Sequence, residues 1–262
     1  MPMTRPKPLL AIALLWTWMT AVAVPGTPII GVDHMPLAVK DLEQATRDYR
    51  DLGFAIKPGR PHHNGITTNN IKFPDGAGIE LITAPAARDA LTQRYVEHLA
   101  RGDGPAFIAF HARDTKKLIA ALRAAGIGYS EKDGELTDAS YRYIFFVGDN
   151  RSPTDRPEHF RHSNTASAMT GVWLAPPDPA PLIRLLTALG ATSHQETLRA
   201  PDPIDATVFK VENGRVLLLP PSRQVVKGRP IVGAEFDVAK GRPEVFVSPD
   251  KTHGLWLHFI PR

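Results

Sequence analysis

The sequence predicts an α+β protein made of βαβββ modules in tandem, two complete and two shortened. Three observations predict it. One helix signature recurs three times, an apolar strand precedes each copy, and further strand-like runs follow the first and third copies.

The signature opens on Asp. Asp41 begins D-L-E-Q-A-T-R-D-Y-R-D-L-G-F, Asp114 begins D-T-K-K-L-I-A-A-L-R-A-A-G-I and Asp178 begins D-P-A-P-L-I-R-L-L-T-A-L-G-A. In each copy Gly stands twelve positions later, at Gly53, Gly126 and Gly190. The positions four, eight and eleven after the Asp are apolar or aromatic: Ala45, Tyr49 and Leu52, then Leu118, Leu122 and Ala125, then Leu182, Leu186 and Leu189. That spacing lays one apolar stripe along a helix, the face a core buries. Asp accepts backbone N–H bonds at an N-cap, and Gly takes the left-handed conformation just past a helix end. Pro179 suits a first turn, where its missing N–H costs nothing.

The strands in front of these helices are Gly31 to Val39, Ala106 to Ala112 and Gly171 to Ala175. Behind the first and third helices come Asn70 to Phe73, Gly78 to Thr83, Ala206 to Val211 and Arg215 to Leu219, each bounded by turn residues. A fourth copy is degenerate: Ile231 to Ala239 reads as its first strand and Gly254 to Ile260 as its last, while Gly241, Arg242 and Pro243 leave little room for a helix.

The first residues differ from the rest. Arg5 and Lys7 precede an uncharged apolar run, Leu9 to Val24, and Ala21-Val22-Ala23 gives the small-x-small pattern of a signal-peptidase site. Cleavage after Ala23 and a periplasmic or secreted location are the expectation, with an uncleaved anchor as the alternative. The organisation expected is therefore a signal segment over 1–23, a module pair over 24–150, a polar connection over 151–166 and a second pair over 167–262.

Composition narrows the chemistry. With no cysteine, disulfides, thiolate nucleophiles and Cys-held metals are excluded. Loss of Arg5 and Lys7 with the signal takes the formal charge from +4 to +2, and no Lys/Arg cluster is interleaved with aromatics, which argues against nucleic acid as a partner. No G-x-S-x-G elbow, P-loop or dinucleotide fingerprint is present, so Ser/His hydrolase and nucleotide chemistry have no support.

Three stretches, in order, carry a resemblance. Gly31 to Asp41 reads G-V-D-H-M-P-L-A-V-K-D, His63 to Asn70 fits H-x-G-x-x-T-x-N, and Gly78 to Leu81 fits G-x-E-L. Together they resemble the glyoxalase-like branch of the vicinal oxygen chelate (VOC) superfamily. The resemblance implies paired modules, sheets curled into an open barrel, and a divalent ion (Zn, Fe, Mn or Ni) inside, with His34 and Glu80 as ligands. It also implies that His63, Thr68 and Asn70 contact substrate and that His63 and Glu80 serve catalysis. The residues agree in part: imidazole and carboxylate are suitable donors, and strand alternation puts His34 opposite Met35, Leu37 and Val39, and Glu80 opposite Ile79 and Leu81.

The paired module departs from the pattern, because aligning Asp114 on Asp41 puts Phe107 where a ligand is expected, and aligning Asp178 puts Gly171 there. His111 and His258 are the candidates to complete a set of two His and one carboxylate. His159 and His162 form an H-x-x-H pair, in a run that reads as solvated. Each of these side chains also has a plain reading, as a core or rim histidine or as turn polarity.

The resemblance thus implies a metal-dependent lyase, isomerase or dioxygenase acting on a small oxygenated organic substrate. A metal-free binding or sequestering protein on the same sheets is the rival reading. Four modules in one chain suit a monomer as well as a homodimer.

Overall fold

Four modules follow one another in a computed structural model that describes residues 27–132, 134–199 and 202–262; the expected signal segment lies outside the described residues. After β1 (Ile29–Val32), the first module runs β2 (His34–Ala38), α1 (Leu42–Asp51), β3 (Lys57–Pro58), β4 (Thr67–Lys72) and β5 (Gly78–Thr83). A helix outside the repeat, α2 (Ala90–Leu99), and a short β6 (Gly104–Pro105) lead to the second module: β7 (Ile108–Ala112), α3 (Thr115–Ala124), β8 (Tyr129–Ser130), β9 (Glu135–Leu136) and β10 (Ile144–Val147). The third has β11 (Ala168–Leu174), α4 (Ala180–Ala188), β12 (Thr192–Leu198), β13 (Ile204–Val211) and β14 (Gly214–Leu218). The fourth keeps only strands, β15 (Ile231–Val238), β16 (Val245–Val247) and β17 (Trp256–Pro261).

The helix signature is realised at both ends. Asp41 and Asp114 accept bonds from the Gln44 and Lys117 N–H groups, and Asp178 from that of Ala180. Gly53, Gly126 and Gly190 have φ of +87°, +66° and +83°, a conformation in which a side chain would be strained. The stripe faces inward, with Tyr49, Leu118, Leu122 and Leu186 fully buried.

In every module the first and last strands pair in parallel: β2 with β5, β7 with β10, β11 with β14, and β15 with β17. Modules three and four merge through the antiparallel β11–β15 pair into one seven-stranded sheet, β12-β13-β14-β11-β15-β17-β16. Modules one and two occupy two five-stranded sheets, β3-β4-β5-β2-β6 and β1-β7-β10-β9-β8. Backbone bonds from Asp33 N to Ala109 O (2.8 Å) and from Ala106 N to Pro36 O (2.8 Å) stitch those two sheets along a seam. Each sheet is open and mixed, as expected of a VOC fold.

One core joins the halves. Phe54 and Phe73 of the first module pack on Phe236 at 5.3 Å and 5.9 Å between ring centroids, and Phe54 also meets Phe259 at 5.8 Å. Such aromatic contacts each contribute about 0.5–1.5 kcal/mol beyond area burial.

Two features depart from the sequence reading. Helix α2 was not anticipated; it is fixed by a capping box in which Asp89 and Thr92 bond each other's backbone N–H, and it buries Tyr95 and Leu99. His162 is the buried exception in a polar run that is otherwise largely exposed. It accepts from the Ala55 N–H at 2.9 Å and meets the Lys72 carbonyl at 3.1 Å. Burial lowers its pKa.

Candidate functional site

Alternation sorts the first module's strands into two faces. Met35, Leu37, Ile71, Ile79 and Leu81 are fully buried in the core, and Asn69 faces α1, donating to Thr46 Oγ1 at 2.8 Å. The opposite face presents His34 and Pro36 from β2, Glu80 and Ile82 from β5, and Thr68, Asn70 and Lys72 from β4. Register then sets neighbours: Asn70 stands directly across from Glu80, and Pro36 pairs with Glu80 on the other side.

His34 is oriented by a buried carboxylate. Its Nδ1 lies 2.6 Å from Asp33 Oδ1, and the Asp33 side chain is 1% exposed. A carboxylate can only accept, so in the neutral ring Nδ1, which also lies 3.5 Å from Asn150 Nδ2, carries the proton and Nε2 holds the lone pair; Nε2 has no hydrogen-bond partner among the described residues. The Glu80 carboxylate likewise has no hydrogen bond or ion pair among the described residues. Burial and then the charge of Glu80 push the Tyr95 phenol above its usual range. A half-buried carboxylate without a partner is a cost that a bound ligand would offset.

Three cavities meet at Glu80. An apolar chamber of about 290 Å³ is lined by His34, Glu80, His62, Tyr95, Phe107 and Phe145 among others. A small one of about 40 Å³ lies between His34, Asn70, Lys72, Glu80 and Asn150. A polar cleft of about 610 Å³ adds Lys57, Arg60, Thr68, Arg156 and His159 to the Glu80 side. Behind it, Lys57 and Lys72 both bond Asp155, and Lys72 also donates to the Asn150 carbonyl at 2.7 Å. Burial pushes the Asp155 carboxyl up, but bonds from Lys57, the Ser152 amide and Lys72 outweigh it and hold it at about 2.

The expected site residues divide. Thr68 and Asn70 share the face and the polar cleft with Glu80, and their side chains have no hydrogen-bond partner among the described residues. His63 is exposed in the turn; its neighbour His62 is the one that lines both the chamber and the cleft. His111 approaches the same buried carboxylate as His34, with Nδ1 3.8 Å from Asp33 Oδ2. His258 stands on β17 of the seven-stranded sheet and bonds Glu244 at 2.7 Å, with Glu235 3.5 Å away.

Neither His111 nor His258 joins His34 and Glu80, and no group of three or more His, Asp or Glu suited to a metal ion occurs among the described residues. Register gives the reason. Phe145 is paired with Ala109 as Glu80 is paired with Pro36, and Phe107 stands two residues before Ala109 as His34 stands two before Pro36. The second module thus places Phe107 and Phe145 where the first places His34 and Glu80. Two donors fall short of the three protein ligands typical of catalytic sites, so the donor set does not fit a resident divalent ion.

The equivalent interior of modules three and four is filled by the protein itself. Glu235, fully buried, receives Arg215 at 2.6 Å and 3.0 Å and Trp173 Nε1 at 3.0 Å, while Arg215 also bonds Glu196. Gly171 makes room for this carboxylate, since a Cβ there would sit 2.2 Å from Glu235 Oε2.

A family model described as a glyoxalase-like domain matches residues 32–190. No curated protein sequence matches. Among similar solved structures is a triple mutant of 4-hydroxymandelate synthase from Streptomyces coelicolor, at a TM-score of 0.66 and 13% identity over 90% of this chain and 93% of that one. An extradiol ring-cleaving dioxygenase from B. fuscum has a TM-score of 0.59 and 12% identity over 91% and 74%. The 2,3-dioxygenase LapB from Pseudomonas sp. KL28 has 0.56 and 14% over 90% and 94%. At these identities the likeness is one of fold.

Proposed function

We propose that this chain, which belongs to the glyoxalase-like domain family, is an enzyme that moves a proton on a small oxygenated organic substrate, in the manner of an isomerase or lyase. The observation that carries the reading is the free Nε2 of His34, held by Asp33, beside the unpartnered carboxylate of Glu80 in one cavity.

The chemistry follows from what each group has to give. His34 Nε2 takes a proton from a carbon next to a carbonyl, and the electron pair moves onto the carbonyl oxygen as an enolate. The hydroxyl of Thr68 and the amide of Asn70 are the donors available to that oxygen. Glu80 accepts a hydrogen bond from a neighbouring substrate hydroxyl and orients it. The imidazolium then returns its proton to carbon, and charge is restored at every group. Asp33 stabilises the imidazolium and keeps its ring in place.

The test is deuterium exchange. Hydroxyketones are incubated with the enzyme in D₂O and followed by proton NMR at the carbon between hydroxyl and carbonyl. Loss of that signal with wild type, at a rate cut by about 10²–10⁴ in His34→Ala, supports the proposal; no acceleration over buffer for any hydroxyketone contradicts it. Metal content is read on the same samples: an equivalent of divalent metal whose removal abolishes exchange would replace the proton-transfer account with a metal-centred one. The charged and then apolar N-terminal run supports export, tested by sequencing the N-terminus of the mature protein for a start at Val24.

A further inference from the structure

We infer that Phe107 and Phe145 determine specificity, and that the substrate is a small oxygenated molecule whose body is a flat apolar ring. The inference rests on the reading of His34 and Glu80 as the reacting pair. It begins from the register that places the two phenylalanines in the second module where His34 and Glu80 stand in the first. The site is consequently two-faced, with nitrogen and oxygen on one side and hydrocarbon on the other.

The hydrocarbon side is built as a fixed box. Phe107 meets Tyr95 edge to face at 5.4 Å and 87°, and Phe145 at 6.3 Å and 85°. Phe145 in turn meets the His34 ring at 5.5 Å and 80°, so the wall runs without a break into the reacting group. The guanidinium of Arg94 lies 4.4 Å over the Phe107 ring and is anchored to Glu135 at 2.8 Å, which holds that ring in place. Pro36, Ile66, Ile82 and Leu91 add to the apolar lining, and the polar side chains besides His34, His62 and Glu80 are Asn64 and the Arg94-paired Glu135. An apolar cavity of about 150 Å³ is enough for benzene, and the chamber of about 290 Å³ therefore holds one ring with a short oxygenated arm reaching His34 and Glu80. Ring edges and faces arranged in this way complement the quadrupole of a bound aromatic ring.

Two probes with the same oxygens separate the walls: 2-hydroxyacetophenone, which carries a phenyl group, and hydroxyacetone, which does not. Calorimetric titration is expected to show wild type binding the phenyl compound at least about tenfold more tightly. Phe107→Ala loses about that factor for the phenyl compound and leaves hydroxyacetone unchanged, and Phe107→Leu, which keeps an apolar volume, loses less. Equal affinity of wild type for the two compounds overturns the inference, as does an unchanged preference in both Phe107 variants. A second arm uses Phe107→His, which adds a third donor beside His34 and Glu80. It is expected to retain about one equivalent of Zn after dialysis where wild type retains little. A wild type that holds one equivalent, lost in His34→Ala, also overturns the inference. Binding is read without turnover, so ring selectivity in the absence of deuterium exchange sinks the proposed reaction and leaves the box standing, whereas exchange without ring selectivity does the reverse.

Discussion

Nδ1 of His34 stands 2.6 Å from Oδ1 of Asp33, while the other oxygen of that buried carboxylate lies 3.8 Å from His111. One carboxylate thus fixes the tautomer of the neutral His34 ring, which lines two of the cavities shared with Glu80.

The tautomer can be read directly. In ¹⁵N-resolved spectra at a pH where His34 is neutral, its Nδ1 should carry the proton and Nε2 should not. Asp33→Asn removes the acceptor, mixes the tautomers and slows exchange by about 10²-fold or more. An unchanged tautomer in that variant contradicts the orienting role.

Glu80 is a half-buried charge without a partner, so function and stability should separate there. Glu80→Gln is expected to raise the unfolding free energy by up to about 1 kcal/mol while impairing ligand binding. It should also bring the Tyr95 phenol back toward its usual range, since the Glu80 charge is part of what raises it. Urea unfolding and a spectroscopic titration of the tyrosines check both.

A pH-dependent staple joins the halves at His253. Its Nδ1 lies 2.8 Å from Asp103 and its Nε2 3.0 Å from Asp48, so both nitrogens face acceptors and the ring binds best as the imidazolium. Burial pulls its pKa down, but Asp103 and Asp48 outweigh it and the net shift is upward. A raised folded value means the contribution is fully present below the unfolded value of about 6.5 and is lost as pH rises through the folded one. Stability should therefore fall by about 1 kcal/mol over that interval in wild type. His253→Ala should be less stable at low pH and show no such fall.

The closed interior of modules three and four should be structural. Glu235→Ala leaves Arg215 without its buried partner and is expected to cost about 3–5 kcal/mol in urea unfolding. Burial pushes the Glu235 carboxyl up, yet His258 and Arg215 hold it below its ordinary value, so acid should weaken this half as that group is protonated. Ligand binding on the first module should survive in whatever fraction stays folded.

The fold was legible wherever its signals were local. The Asp cap, the stripe at Tyr49, Leu122 or Leu186 and the closing Gly lie within one helix, and alternation alone turns His34 and Glu80 away from the core. What escaped depends on distant partners. His162 looks solvated because its run is polar, but its partners Ala55 and Lys72 are 107 and 90 residues away. Phe107 can be found by counting back from Asp114, whereas nothing local marks Phe145, and only the β7–β10 register reveals its place. His62 and His63 sit in a turn without periodicity, where the sequence offers no rule for which one faces the chamber. Helix α2 is as long as the others but carries no copy of the Asp-to-Gly signature, since Arg101 stands twelve positions after Asp89, and the polar Thr92 interrupts its buried stripe of Tyr95 and Leu99.

That His34 and Glu80 act on one bound molecule is tested most directly by a double-mutant cycle. Affinity for 2-hydroxyacetophenone is measured in wild type, His34→Ala, Glu80→Gln and the double variant. Two groups touching the same ligand should couple by at least about 0.5 kcal/mol, with the double variant losing less than the two single losses together. Strictly additive losses, or no loss in either single variant, would contradict a shared site.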